Sequence, residues 1–333
     1  MELRKPYALF LGDAPDRLAA KVATGVAEWR PEQCVGQVRL PDCKPRLDLP
    51  DMSIDEAAEA GAQTLVIGVA NRGGLIPDSW HRTLTDAAKL GLDIASGLHT
   101  PLSVVPGLVQ TADKRGIALH EVRQPNGPFS VANGKARSGR RLLTVGTDCS
   151  VGKMYTTLAI ERELANRGVP TDFRATGQTG ILIEGSGVPV DAVVADFISG
   201  AVEQLCPAAA EEHWDLIEGQ GSLHHPSFAG VSLGLLHGAQ PTDLVLCHEP
   251  TRTHMRGLPN QPLPSLERCI DANLSAAQVI SPHARFVGVA VNTSALDDRA
   301  AKNVLDRIAS ETGLPAVDPV RHGVAPIVDQ MLT

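Results

Sequence analysis

The residues Leu142-Leu143-Thr144-Val145-Gly146-Thr147-Asp148-Cys149-Ser150-Val151-Gly152-Lys153 constrain the fold of this chain more than any others. A β-rich apolar run ends in a glycine loop, the loop ends in Gly-Lys, and a helical pattern follows at once, from Met154 to Asn166. Strand, glycine loop, Gly-Lys and helix make a cradle for phosphate. Loop amides and the helix N-terminus point at the anion, and the lysine adds a mobile positive charge. A tight turn that needs glycine for geometry alone is the simpler alternative, but it explains neither the flanking elements nor the lysine. The next residue is Met154, where a nucleotide hydrolase places the Ser or Thr that holds Mg²⁺. Thr156 and Thr157 lie a half turn or more further on, so their hydroxyls point elsewhere on the helix. The loop predicts phosphate binding without the metal arrangement of phosphoryl transfer.

The rest of the chain alternates strand-like and helix-like segments. Before the loop, strands are expected at Tyr7 to Leu11, Thr64 to Val69, Leu92 to Ser96 and Ile117 to Val122, with helices at Asp16 to Trp29 and Ser79 to Leu90. After it, strands are expected at Thr171 to Thr176, Trp214 to Glu218, Asp243 to Cys247, Phe286 to Val291 and Pro315 to Val317. Helices there are expected at Gly200 to Ala210, Leu266 to Ala276 and Asp297 to Glu311. Such alternation implies βαβ units and parallel sheets. At 333 residues the chain suits two domains. The turn-rich stretch from Arg123 to Arg140 reads as the linker. The expected fold is α/β: a Rossmann-like parallel-sheet domain over 1–130 and a P-loop α/β domain over 131–333.

Composition excludes several classes. Aromatics are only 3% and the formal net charge is −8, which argues against a nucleic-acid partner. No apolar stretch approaches the roughly 20 residues of a membrane helix, and the start of the chain carries no signal-peptide pattern. The six cysteines are scattered without zinc-like spacing, so free, mostly buried thiols in a reducing cytoplasm are expected, with no metal centre. Large α/β enzymes are commonly symmetric, so a homodimer or higher homo-oligomer is expected.

Four further segments carry candidate chemistry. Asp215-Leu216-Ile217-Glu218-Gly219-Gln220-Gly221-Ser222-Leu223-His224-His225 places an acid and a Gly-x-Gly at a strand end, where ligands of open α/β sheets gather. Glu218 is a candidate base or cation ligand with His224 behind it, although Glu218 capping its own loop is the plainer reading. Arg174-Ala175-Thr176-Gly177-Gln178-Thr179-Gly180 is another small-residue strand end, followed at a distance by Asp196. Arg252 and Arg256 lie four apart, so on a helical turn they would share a face and grip carboxylate or phosphate. In the N-terminal half, the loops holding Asp13, Arg72 and His99 follow strands without a dinucleotide fingerprint, and structural roles suit them better.

The loop pattern Gly-Thr-Asp-x-x-Val-Gly-Lys resembles dethiobiotin synthetase and its P-loop relatives. Taken with the Glu218 and Arg174 segments, the whole chain resembles a two-domain family, long described as a domain of unknown function, that joins a Rossmann-like part to a P-loop part and includes the D-glutamate N-acetyltransferases. The resemblance implies acetyl transfer from acetyl-CoA to the amine of D-glutamate. Gly146, Thr147, Asp148, Cys149, Ser150, Val151, Gly152, Lys153 and Met154 would then hold coenzyme A, whose phosphates need no metal-assisted chemistry. Glu218, with His224 and Asp196 behind it, would take the proton from the substrate ammonium. Loop amides from Gly219 to Ser222 would stabilise the oxyanion. Arg174, Gln178, Ser222, Arg252 and Arg256 would bind the amino acid. Two other functions stay open: an ATP-dependent carboxylate-activating ligase, against which Met154 counts, and a non-catalytic sensor of coenzyme A or nucleotide.

Overall fold

The computed structural model describes residues 2–71, 73–125 and 127–333, so Arg72 lies outside the described residues. The chain forms two compact units. One holds Met1–Asn126 and Gly177–Ala192, the other Gly127–Thr176 and Val193–Thr333. The single boundary expected near residue 130 is one of three crossings, because residues 177–192 return to the first unit.

Along the chain, the first unit supplies β1 (Tyr7–Gly12), α1 (Lys21–Trp29), β2 (Cys34–Arg39), α2 (Ile54–Glu59), β3 (Thr64–Ile67), α3 (Asp78–Lys89), β4 (Asp93–Ser96), α4 (Leu108–Arg115) and β5 (Leu119–Glu121). The second opens with β6 (Arg140–Gly146), α5 (Lys153–Asn166) and β7 (Thr171–Arg174). After α6 (Gln178–Glu184) in the first unit, the second continues with α7 (Ile198–Leu205), β8 (Trp214–Ile217), α8 (Ala229–Ala239), β9 (Asp243–His248), β10 (His254–Met255), β11 (Leu258–Pro262), α9 (Leu266–Gln278), β12 (Arg285–Val291), α10 (Asp298–Thr312), β13 (Ala316–Val317) and α11 (Ala325–Met331).

Among the described residues the strands form two parallel sheets and one small ribbon. The first unit's sheet runs β2-β1-β3-β4-β5. All of β1 is buried, as a strand covered on both faces must be, and Phe10 meets Trp80 of α3 edge to face at 5.3 Å. The Trp80 indole donates to Asp13 at 2.9 Å, which gives that acid a structural role. Asp16 caps a turn before α1 by accepting from the Ala19 amide at 2.8 Å, so α1 itself starts later than expected.

The second unit's sheet runs β13-β12-β9-β6-β8-β7. Leu142, Trp214, Leu216, Val245 and Val287 of its strands form one core with Ile160 and Leu164 of α5 and Ile327 and Met331 of α11. The expected helix at 200–210 ends at Leu205, since Pro207 follows and a residue before proline resists the helical conformation. β6 is central, with β8 on one side and β9 on the other, so the sheet's order switches direction at β6. Parallel register puts Leu143 beside Ile217 and Gly146 beside Cys247. The loops leaving β6, β8 and β9 therefore emerge together at one carboxyl edge, the place where open α/β sheets hold ligands.

Candidate functional site

The P-loop is built as the sequence predicts. Gly152 caps α5 at φ +102, a left-handed conformation natural to glycine. Ser150 also sits in the left-handed region, at φ 54. The amides of Ser150, Val151, Gly152 and Lys153 have no hydrogen-bond partner among the described residues, which leaves them available as anion donors. Lys153 is buried and donates to the Asp148 carbonyl at 2.9 Å. Burial pushes its ammonium pKa down, against the raising influence of Asp148 and Glu218. Both helix hydroxyls are committed inward. Thr156 donates to the Gly152 carbonyl at 3.0 Å, and Thr157 donates to the Lys153 carbonyl at 2.9 Å beside Thr144.

Asp148 ties the loop to a second segment. Its fully buried carboxylate accepts from the Cys149 amide, from Arg252 Nη1 and from the Arg256 amide, each at 2.7 Å. Arg252 donates further to the carbonyls of Cys149 at 2.7 Å and Ser150 at 3.3 Å, and pairs with Glu249 at 3.3 Å. The Arg256 guanidinium donates to Ser150 Oγ. Both arginines, expected on a helical face as receptors for substrate carboxylates, are instead bonded to the P-loop. They sit on a turn and on the β10–β11 ribbon, where helical spacing does not apply. Cys149, Asp148 and His225 bring possible metal-ligand atoms within 4.8 Å of one another. His225 Nδ1 accepts from the Ser227 amide while Nε2 meets the Arg256 carbonyl, so both ring nitrogens are engaged within the protein.

On the β8 side, Glu218 Oε2 accepts from the Thr176 amide at 3.0 Å, and its carbonyl accepts from Thr176 Oγ1 at 2.5 Å. The carboxylate expected as the base is thus held as an anchor for the loop after β7. Gly219 lies so close to β6 that a Cβ would come within 1.7 Å of the Thr144 carbonyl and 3.0 Å of Lys153 Cδ. Ser222 is buried, donates to the Thr147 carbonyl at 3.3 Å and accepts from the His224 amide at 3.3 Å. His224 lines an open groove of about 480 Å³ with Ser265, Glu267, Arg268, Asp271, Ala272 and Ser275. Burial and the charge of Arg268 lower its pKa from the ordinary 6.5, and its Nε2 has no partner among the described residues. On the β9 side, Thr147 Oγ1 meets His248 Nδ1 at 3.1 Å, and burial lowers that histidine to about 4. The Thr147–His248 pair went unforeseen, since only the register of β6 with β9 makes the two neighbours.

Three expected site residues are placed elsewhere. Arg174 points back along the sheet, binding Asp215 at 2.7 Å and Asp172 at 2.8 Å, because cross-strand neighbours on β7 and β8 surround it with acids. Gln178 opens α6 and belongs to the first unit. Asp196 is exposed on the short turn before α7, and no hydrogen bond ties it to the P-loop among the described residues. In the first unit His99 is also exposed.

A parallel six-stranded sheet, a glycine loop with free amides and a buried lysine, and a Rossmann-like companion sheet define an α/β protein of the P-loop class. Residues 130–328 match the family described as "Domain of unknown function (DUF1611_C) P-loop domain", and residues 36–125 match its Rossmann-like N-terminal counterpart. The chain belongs to this DUF1611 family. It is 54% identical over 329 residues to a protein from Tritonibacter scottomollicae named D-glutamate N-acetyltransferase, with 99% of each chain covered. A protein of the same name from Pseudoalteromonas is 49% identical, with 98% of this chain and 99% of the relative covered. A crystal structure of a DUF1611 family protein from Anabaena variabilis superposes with a TM-score of 0.83 at 34% identity, covering 99% of each chain.

Proposed function

We propose that this protein is an amino-acid N-acetyltransferase that moves an acetyl group from acetyl-CoA to the amine of D-glutamate. The observation that carries the reading is end-to-end likeness, at 54% and 49% identity, to two relatives named for that activity. The geometry agrees with it. The free amides of Ser150, Val151, Gly152 and Lys153 and the lysine charge fit the phosphates of coenzyme A. Met154 offers no hydroxyl, and the hydroxyls of Thr156 and Thr157 are spent on backbone carbonyls, so the Mg²⁺ arrangement of a phosphoryl-transfer site is missing from these positions.

The reaction needs an unprotonated amine, an electrophilic thioester and a place for the oxyanion. The amine nitrogen attacks the thioester carbonyl, the C–N bond forms as the C–S bond breaks, and coenzyme A leaves as the thiol once its sulfur takes the second proton released by the amine nitrogen. The ammonium proton goes first to a base, which we assign to His224. Its imidazole is neutral at physiological pH because burial disfavours the cation, whereas Glu218 is engaged by the Thr176 amide. The Gly219 amide is engaged by Thr144 Oγ1 at 3.0 Å, so we assign the oxyanion to the backbone amides from Gln220 to Ser222. In this reading the protein acts on small molecules in the cytoplasm as a homo-oligomer. No helix among the described residues is long and apolar enough to cross a membrane.

The test is free-thiol release from acetyl-CoA with D-glutamate, L-glutamate and other amino acids. Release with D-glutamate is expected. Mg²⁺-dependent ADP release with a carboxylate substrate would replace this reading with a ligase, and tight coenzyme A binding without turnover would replace it with a sensor.

A further inference from the structure

The segment that follows β9 crosses the mouth of the P-loop and brings two guanidinium groups to it. They are held very differently. Arg252 is a fixed post: it contacts the Asp148 carboxylate, the carbonyls of Cys149 and Ser150, and Glu249. Arg256 is pinned chiefly through its backbone. Its amide donates to Asp148 Oδ2 at 2.7 Å and its carbonyl meets His225 Nε2 at 3.2 Å, while the next residue but one, Leu258, pairs with buried Met255 in the ribbon. The Arg256 side chain is exposed and, among the described residues, rests on one hydrogen-bond partner, the neutral hydroxyl of Ser150. Ser150 is the first of the loop residues whose amides lack a partner among the described residues. A cation with a fixed root and an exposed head held by a neutral hydroxyl therefore sits at the rim of an anion cradle. Exchanging a hydroxyl for a phosphate oxygen replaces a neutral acceptor with an anionic one, so the guanidinium gains an ion pair as well as a hydrogen bond.

We infer that Arg256 is a phosphate-binding residue of this site, swinging from Ser150 Oγ onto a phosphate ester or diphosphate lodged in the P-loop, and that Asp148 and Arg252 are positioning residues that hold its backbone at the rim. This deepens the acetyl-CoA reading and rests on it for the identity of the ligand. It does not rest on it for the class, since any diphosphate-bearing ligand of the loop would meet the same guanidinium.

The experiment compares binding of coenzyme A, ADP and inorganic pyrophosphate by isothermal titration calorimetry. The proteins are the wild type, Arg256→Gln, Arg256→Lys and, as a charge-matched control on exposed α10, Arg299→Gln. Arg256→Gln is expected to weaken the tightest of the three ligands by about tenfold or more, the worth of a charge-assisted contact. Arg256→Lys should restore part of that loss, and Arg299→Gln should bind as the wild type does. The affinity of the wild type should also fall with ionic strength more steeply than that of Arg256→Gln. Equal affinity and equal salt dependence of wild type and Arg256→Gln overturn the inference, as does binding of none of the three ligands to the wild type. The acetyl-CoA reading stands or falls separately, on whether coenzyme A is the tightest ligand.

Discussion

Single residues in this protein do work that their type alone does not announce. Glu218 has the address of a catalytic acid but spends one carboxylate oxygen on the Thr176 amide. Glu218→Gln keeps an oxygen that can accept this bond, so an anchor predicts less than a tenfold loss of kcat, while a general base predicts a loss of about 10²-fold or more. Steady-state kinetics of this variant separates the two roles. His224 gives the complementary prediction. Burial lowers its folded-state pKa below 6.5, so the neutral, proton-accepting form dominates at and above that pH. The profile of kcat/KM against pH should therefore rise to a plateau whose midpoint lies below 6.5, and His224→Ala should abolish that limb along with most of the activity. A limb that survives in His224→Ala assigns proton removal to another group. Gly219 is a steric position: its missing Cβ would sit 1.7 Å from the Thr144 carbonyl. Gly219→Ala should cost about 3 kcal/mol or more by forcing the β8 loop off β6, read as a lower midpoint in denaturant.

At the scale of elements, the sequence was most legible where hydrophobic periodicity was strong and least legible where packing replaced it. β6, β8, β9 and β12 fall within a residue or two of their expected limits, because buried parallel strands are continuous apolar runs bounded by turn residues. α8 was missed: its glycine-rich, largely apolar sequence has only Ser232 and His237 as polar residues and so no polar face, and it packs against α7. α2 was also missed, although its signal was present in the capping box that Ser53 and Glu56 form. The stretch expected to be a loose linker is held in place. Arg137 donates to the carbonyls of Glu203 at 3.1 Å and Gly238 at 2.5 Å, and to the Cys206 carbonyl. Replacing Arg137 with Met strands several buried carbonyls, so a loss of about 3 kcal/mol in chemical denaturation is expected, with little change if the segment were only a tether. That arginine lies in a turn-rich run whose composition says only "loop", which is why no reading of the segment by itself could find it.

At the scale of the whole molecule, the chain visits its units in an order that a single cut does not respect. α6 packs on α1 within the first unit, where Arg30 pairs with Glu184 at 2.7 Å and Ile181, Leu182 and Ile183 are buried. A fragment of residues 1–126 therefore lacks part of its own core. Three lost aliphatic side chains are worth on the order of 5 kcal/mol, comparable to the whole stability of an ordinary domain. Circular dichroism of that fragment should show loss of cooperative thermal unfolding; a sharp transition would mean that α6 is dispensable. The sequence by itself determined the α/β class, the P-loop and the likeness to an acetyltransferase family, because these rest on local period, glycine placement and motif spacing. Only the tertiary structure decided which side chains meet. Arg174 turned to the acids of the neighbouring strand, and the Arg252 guanidinium and the Arg256 backbone amide closed on Asp148. A long cationic side chain goes to whichever anion or carbonyl the fold brings near, and residues 104 and 108 positions from Asp148 become its neighbours only once β6 and β9 have paired.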